Sequence, residues 1–129
     1  MIVVRRRFAA RVFGQSAGIC RRVDNAWELA AATAEGVRAL ADLEGGAGAV
    51  VTASGMGAVS LVTQLFKPEQ VAVVPHDCYG GTYRLFNALN LRGALQVRFV
   101  DFQDAGRLDA AIADKPALVW IETPSNPLL

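Results

Sequence analysis

Short β-branched runs alternate with helix-length segments along most of this chain, and this alternation constrains the fold more than any other feature. Apolar runs of strand length occur at Val71 to Val74, Val97 to Val100 and Leu118 to Ile121. Residues 82–91 and 106–113, which lie between them, repeat apolar side chains at helical spacing. The pattern predicts βαβ crossovers, and therefore an α/β fold with a mostly parallel sheet covered by helices.

The stretch VVTASGMGAVSLVTQL, residues 50–65, predicts a further strand, a tight turn and a helix. Its first two valines suit a short buried strand, and Ser54 is a good N-cap for the helix that follows. The other early N–H groups of that helix, at Gly55, Met56 and Gly57, then have no intrahelical acceptor and attract anions. A phosphate-binding site and an ordinary strand-to-helix turn both remain open here. The glycine spacing fits neither a Walker loop nor the dinucleotide fingerprint.

Three loops carry the residues that could bind a ligand, namely Ser54–Gly57, His76–Gly81 and Glu122–Asn126. Each follows a predicted strand, and ligands of open α/β sheets lie beyond the carboxyl ends of the strands. We therefore expect these loops to lie close together.

The side chains of these loops suit a flat, oxygen-bearing ligand. Tyr79 can stack on a ring or simply pack, and the Asn126 amide can bind a ligand oxygen or cap its own turn. Glu122 can accept a hydrogen bond from a ligand or hold its loop. Together with the helix start at Gly55, they predict a site for a planar, phosphorylated ring, and pyridoxal 5'-phosphate fits that description.

Composition limits the other classes of function. The chain has 129 residues, 53% of them hydrophobic, which is enough for one modest domain. Two cysteines and a single histidine argue against a disulfide scaffold and a metal centre. No apolar run reaches the length of a membrane span, so we expect no membrane partner and a cytoplasmic location.

The N-terminal segment differs from the rest of the chain in charge. Residues 1–23 contain six arginines and no acidic residue. Such a start is found in organellar transit peptides, in nucleic-acid-binding arms and in irregular leaders. It lacks the serine richness of the first and the interleaved aromatic and polar residues of the second, so we expect no nucleic-acid partner. We treat residues 1–36 as an atypical segment, comprising this leader and the start of a helix predicted over residues 27–43.

Three ordered motifs carry a resemblance to a known family. SGMGAVSLV, PHDCYGGTYRLFNAL and IETPSNPLL resemble, in this order and spacing, the Cys/Met-metabolism family of pyridoxal-phosphate enzymes. The resemblance covers residues 37–129. It implies the N-terminal part of a cofactor-binding large domain, truncated, in a three-layer sandwich of the aspartate aminotransferase type.

The resemblance also implies roles for particular residues. The backbone N–H groups of Gly55 and Met56 are expected to hold the cofactor phosphate. Tyr79 is expected to stack on the pyridine ring and, through its hydroxyl, to act as a catalytic residue. Asn126 is expected to bond the phenolic oxygen of the ring. We place Glu122, in the same motif as Asn126, among the cofactor-binding residues.

The chain also departs from the family pattern. Asn25 and Trp27 stand where the family has a tyrosine and an arginine that reach the neighbouring subunit's phosphate. The lysine that forms the Schiff base with the cofactor has no counterpart. Lys67 and Lys115, each followed by proline, match surface positions. We therefore expect a fragment that is inactive by the family's mechanism.

The resemblance is strongest to the bacterial γ-synthase subgroup of the family. It implies γ-replacement that joins an O-acylhomoserine to cysteine, giving cystathionine for methionine biosynthesis. The expected partners are small amino-acid substrates and, for the intact enzyme, further copies of itself in a homo-oligomer. A cystathionine lyase, an O-acylhomoserine sulfhydrylase and a non-catalytic remnant remain alternatives, and the coding sequence after Leu129 would separate the enzyme from the remnant.

Overall fold

The computed structural model divides the chain into two compact units. The first comprises Met1–Gly14 and Ser54–Leu129, and the second comprises Gln15–Ala53. The structure describes residues 2–5, 8–11, 36–39, 41–43, 47–50, 52 and 54–122. All numbered strands and helices belong to the first unit.

Five strands and three helices are described in the first unit. The strands are β1 (Ile2–Arg5), β2 (Phe8–Arg11), β3 (Val71–Pro75), β4 (Gln96–Val100) and β5 (Leu118–Ile121). The helices are α1 (Gly55–Thr63), α2 (Gly80–Leu91) and α3 (Ala105–Ala113). The strands and helices predicted from residue 71 onward are confirmed, although α2 begins at Gly80 and not at Thr82.

The sheet has the strand order β2-β1-β5-β3-β4. β3 pairs in parallel with β4, where Val73 lies opposite Arg98, and with β5, where Val73 lies opposite Val119. Because α2 and α3 connect these three strands, the predicted crossovers and parallel sheet are confirmed for them. The carboxyl ends of β3, β4 and β5 therefore share one edge of the sheet, and the loops after β3 and β5 start there.

Helices cover both faces of the parallel strands. Val97 and Phe99 of β4 pack against the core that contains residues of α1 and α2. Arg98 lies between them in the strand and so faces the opposite side, where it forms an ion pair with Asp114, the residue after α3. The helices therefore lie in two layers with the sheet between them, as the predicted three-layer sandwich requires.

The core lies between the sheet and the pair α1 and α2. Phe86 of α2 and Trp120 of β5 are fully buried, and their rings meet edge to face with centroids 5.4 Å apart. The other buried members of this cluster are Val59, Ala72, Val74, Cys78, Leu89, Leu95 and Leu118. This packing fixes α2 over β5, directly beside the loop that follows β5.

Residues 1–23 show no clean periodicity apart from the apolar start Ile2-Val3-Val4, and the structure adds β1 and β2 to the strands assigned from the sequence. The two strands form an antiparallel hairpin, and β1 also pairs antiparallel with β5, with Val3 opposite Trp120. The physical reason is that β5 would otherwise leave a row of unpaired backbone groups, which the apolar run Ile2-Val3-Val4 satisfies. The proposed boundary between residues 36 and 37 stays a prediction.

The second unit confirms one prediction in part and contradicts another. Residues 36–39 and 41–43 are helical, in agreement with the helix predicted over residues 27–43 where that helix is described. Val50 lies in no strand and is 74% exposed, so the buried strand predicted there is wrong; Val51 lies outside the described residues. β-Branched residues favour a strand only beside a partner strand. Residues 47–50 belong to no strand.

Candidate cofactor site

α1 starts with a turn that is suited to an anion. The Ser54 Oγ accepts a hydrogen bond from the Gly57 N–H at 3.1 Å, and the Ser54 carbonyl accepts one from the Ala58 N–H at 3.1 Å. The predicted N-cap is therefore confirmed, and it corrects the expectation for Gly57, whose N–H is used by the cap and is not available to an anion. The N–H groups of Gly55 and Met56 precede the first intrahelical bond. No acidic residue lies in this turn, so nothing within the helix neutralises the positive end of its dipole.

Tyr79 lies at the N-cap position of α2 and presents its ring to solvent. Its side chain makes no capping hydrogen bond, and the residue is 57% exposed. The ring lies across Gly81, where an added Cβ would stand 2.5 Å from Tyr79 Cε1 and 2.8 Å from Met56 Sδ. The structure therefore brings Tyr79 next to Met56 at the start of α1, and glycine at position 81 permits this approach.

Glu122 follows β5 directly and accepts three hydrogen bonds. Its Oε2 accepts from the Tyr79 backbone N–H at 2.6 Å. Its Oε1 accepts from the Thr82 hydroxyl at 2.6 Å and from the Trp120 indole N–H at 3.1 Å. A carboxylate near the first turn of α2 is also favoured by the dipole of that helix. The carboxylate thus joins the end of β5 to the start of α2.

Cys78 lies beside this network but has little reactivity to offer. It is 8% exposed, and burial raises the pKa of its thiol to about 12, with the negative charges of Glu122 and Asp77 acting in the same direction. The thiol is therefore protonated at neutral pH. A protonated, buried thiol is a poor nucleophile and a poor metal ligand.

His76 lies directly after β3, at the same edge of the sheet. Its Nδ1 is 3.9 Å from the Asp101 Oδ1, and both side chains are well exposed. Its backbone N–H donates to the Val100 carbonyl and continues the pairing of β3 with β4. Among the residues that the structure describes, no group of His, Cys, Asp or Glu side chains could hold a metal ion.

The residues predicted from the sequence and the residues that form the described site differ in two ways. Asn126, Asn25 and Trp27 lie outside the described residues. Thr82 and Trp120, which bind Glu122, were missed. Trp120 could have been found, because residues two apart in a strand share a face of the sheet.

The described fold is an α/β domain. The start of α1, which can accept an anion, and the exposed ring of Tyr79 lie at the edge of the sheet where the parallel strands end. No helix within the described ranges is long and apolar enough to cross a membrane. Such an edge is where α/β enzymes bind phosphorylated cofactors.

Comparison with known proteins defines the family. The model of the family described as Cys/Met metabolism PLP-dependent enzyme matches residues 31–129. Cystathionine gamma-synthase of Escherichia coli (strain K12) is 61% identical over 93 residues, which are 71% of this chain and 24% of that protein. Cystathionine beta-lyase of Coxiella burnetii is 43% identical over 93 residues, with the same coverage of both chains.

A solved structure agrees with these relatives. The crystal structure of cystathionine gamma synthase from Xanthomonas oryzae pv. oryzae in complex with cystathionine superposes with a TM-score of 0.69 at 53% identity, covering 72% of this chain and 24% of that chain. The chain belongs to the Cys/Met metabolism family of PLP-dependent enzymes. Its fold is that of the aspartate aminotransferase type, and its cofactor is pyridoxal 5'-phosphate. The chain spans about a quarter of the length of these relatives.

Proposed function

We propose that the protein to which this chain belongs joins an O-acylhomoserine to cysteine, giving cystathionine by pyridoxal-phosphate-dependent γ-replacement. The observation that carries this proposal is the 61% identity to cystathionine gamma-synthase of Escherichia coli. This value is well above the 43% identity to the beta-lyase of Coxiella burnetii. Methionine biosynthesis is the expected use of the product.

The site described here fits the phosphate and the ring of the cofactor. The N–H groups of Gly55 and Met56 are free of intrahelical bonds and would hold the phosphate, with Ser54 fixing the turn. The exposed ring of Tyr79, which lies beside Met56, would stack on the pyridine ring. When bound, the cofactor supplies an electron sink for negative charge that develops on substrate carbons.

Two further parts of the proposal concern residues around the ring. Asn126 would donate its side-chain amide to the phenolic oxygen of the cofactor. The hydroxyl of Tyr79 would hold or move a proton during exchange of the cofactor linkage. The intact enzyme would be a homo-oligomer, as the resemblance to the family implies, with Asn25 and Trp27 in place of the two residues that the family pattern sends to the phosphate of the next subunit.

The described lysines cannot supply the amine that the family uses. Lys67 precedes β3 and Lys115 precedes β5, and both are exposed. They therefore lie at the amino ends of the parallel strands, whereas the site lies at the carboxyl ends. We infer that residues 1–129 alone bind the cofactor without bonding to it covalently and do not turn over substrate.

A cystathionine lyase is the second candidate within the family, and the beta-lyase of Coxiella burnetii supports it. An O-acylhomoserine sulfhydrylase on the same scaffold is a third. A remnant that binds only phosphate or a partner chain is the candidate from a different class. These differ in substrates and products, so one assay separates them.

The test of the activity uses the longest reading frame that contains this chain. The purified protein is incubated with O-acetylhomoserine or O-succinylhomoserine and cysteine, with sulfide in place of cysteine, or with cystathionine alone. We expect cystathionine to form from an ester and cysteine faster than cystathionine is cleaved. Faster cleavage would assign a lyase, preference for sulfide a sulfhydrylase, and no reaction a remnant.

The test of the binding site uses residues 1–129. Amide resonances of Gly55 and Met56 are followed by NMR while pyridoxal 5'-phosphate is added, with pyridoxal, which lacks the phosphate, as the control. We expect both amides to shift with the phosphorylated compound only. Equal shifts with both compounds would contradict a phosphate site at these amides.

A further inference from the structure

Glu122 is bound by protein donors through both carboxylate oxygens. One oxygen accepts the Tyr79 N–H, and the other accepts the Thr82 hydroxyl and the Trp120 indole N–H. Hydrogen bonds to an ionised acceptor are about twice as strong as those between neutral groups. The carboxylate therefore has a structural use in the protein that does not need a ligand.

The two donors on Oε1 are fixed parts of the fold. Trp120 is fully buried in β5, where its ring packs against Phe86, and Thr82 is 1% exposed in the first turn of α2. Because neither side chain can move without disturbing the core, the position of the carboxylate is set by the core. The bond from the Tyr79 N–H to Oε2 then fixes the backbone of Tyr79 to the same frame.

The ring of Tyr79 has few other restraints. The residue is 57% exposed and its side chain makes no capping bond. The ring and the Met56 sulfur both lie close to Gly81, where an added Cβ would stand 2.5 Å from Tyr79 Cε1 and 2.8 Å from Met56 Sδ. The direction of the ring over Met56 thus depends on where the backbone of Tyr79 is held.

We propose that Glu122 is a positioning residue, which sets the ring of Tyr79 beside the start of α1 before any cofactor binds, and that it acts through Tyr79 and not by contact with the cofactor. This inference rests on the proposed function only for the identity of the ligand. It replaces the expectation that Glu122 binds the cofactor directly. Because the Tyr79 ring is already held in place, less conformational entropy is lost when a planar ligand stacks on it.

The first test needs no cofactor. In Glu122→Gln, one carboxylate oxygen becomes an amide NH₂, so the three donors can no longer all find acceptors. We expect nuclear Overhauser contacts from the Tyr79 ring to the Gly81 Hα and the Met56 methyl group to be lost, and the Trp120 indole N–H resonance to shift. Glu69→Gln, at an exposed position after α1, should change neither. Unchanged Tyr79 contacts in a folded Glu122→Gln chain would overturn the proposal, whatever the cofactor does.

The second test asks whether Glu122 acts through Tyr79. Dissociation constants of pyridoxal 5'-phosphate are measured for the chain, Glu122→Gln, Tyr79→Ala and the double variant. We expect Glu122→Gln to weaken binding about three- to tenfold, the range of an aromatic stacking contact, and to have no further effect when Tyr79 is already alanine. Independent, multiplying effects would show that Glu122 contacts the cofactor itself and would overturn the proposal.

The two tests separate this inference from the proposed function. If the chain does not bind the cofactor but Glu122→Gln loses the Tyr79 contacts, the proposed function fails and the positioning role stands. If Glu122→Gln does not fold, Glu122→Asp takes its place. Aspartate keeps the charge but is one methylene shorter, so it cannot reach all three donors, and the same loss of contacts is expected.

Discussion

The backbone N–H of Tyr79 lies 2.6 Å from the Oε2 of Glu122, although 43 positions separate the two residues in the chain. This bond joins the loop after β3 to the residue after β5. Because the Oε1 of the same carboxylate binds Thr82 and Trp120, the aromatic residue of the candidate site is connected to the core through one side chain.

Two adjacent glycines at the start of α2 should respond differently to the same substitution. In Gly81→Ala, the added methyl group meets the Tyr79 ring at 2.5 Å and the Met56 sulfur at 2.8 Å, so both must move. We expect a loss of about 1–3 kcal/mol in the free energy of unfolding, measured by urea denaturation. In Gly80→Ala the nearest atom is the Arg84 Nη1 at 3.4 Å, and stability should be unchanged or slightly higher. Equal effects of the two variants would contradict the close approach at Gly81.

The hydroxyl of Thr82 should matter more than its methyl group. Thr82→Val keeps the shape of this buried side chain but removes the donor to Glu122 Oε1, and we expect it to cost about 1.5–3 kcal/mol in the free energy of unfolding. Thr82→Ser keeps the donor and removes one methyl group, which should cost about 1 kcal/mol or less. A serine variant less stable than the valine variant would show that packing, and not the hydrogen bond, dominates at this position.

Cys78 should be nearly inert to alkylation while the chain is folded. Burial, together with the charges of Glu122 and Asp77, raises the pKa of the thiol to about 12. At about pH 8, only about one part in ten thousand of such a thiol is thiolate. In a Cys20→Ser background, iodoacetamide should therefore modify Cys78 at least about 100-fold more slowly than it modifies the same chain in urea. Comparable rates would mean that the thiol is not buried.

The same thiol makes stability depend on pH in a defined direction. An unfolded cysteine loses its proton above about pH 8.5, whereas the folded state keeps it up to a pKa of about 12. Because the folded state binds more protons in this interval, the free energy of unfolding should fall as the pH rises through it. Cys78→Ala removes this contribution, so urea titrations at about pH 7.5 and about pH 9.5 should differ less for the variant than for the parent chain. The same slope in both would assign the pH dependence to other groups.

A branched side chain at the start of α1 should interfere with the cofactor phosphate. Gly55→Val places side-chain carbons where a phosphate oxygen would approach the backbone, and we expect the dissociation constant of pyridoxal 5'-phosphate to rise about tenfold or more. Gly106→Val makes the same change in the first turn of α3, where the space beside the glycine is adequate, and should leave binding unaffected. A shared effect of both variants would point to helix stability and not to the phosphate.

The parts of the fold that depend on local pattern could be predicted from the sequence. β3 and β5 lie where their apolar runs predict, and Ser54 caps α1 as expected. α2 starts at Gly80 and not at Thr82. The prediction was late because glycine has a low helix propensity, so Gly80 and Gly81 were assigned to the loop. In the structure, the side chains of Tyr79 and Met56 lie so close to position 81 that glycine is needed there, inside the first turn of α2.

The parts that depend on distant pairing could not be predicted. β1 and β2 are strands because β5 offers them a partner, which the arginine-rich segment around them does not indicate. Val50 has the propensity for a strand but lies in none, because propensity alone does not supply a pairing partner. At the site, the hydrogen bonds of Glu122 to the loop after β3, to α2 and to Trp120 of β5 could not be predicted, because only the folded arrangement brings these residues together.

The strand order has a consequence for the kinetics of folding. β5 is the last of the described strands in sequence but lies between β1 and β3 in space. On the ribosome, β1 and β3 must therefore wait for residues 118–121 to emerge before either can pair with β5. Pairing β1 with β5 closes a loop of more than about 100 residues, and such a large sequence separation between contacts slows folding. During that delay the edge of β3 that later pairs with β5 stays open to other nascent chains, which makes this stage of synthesis prone to aggregation.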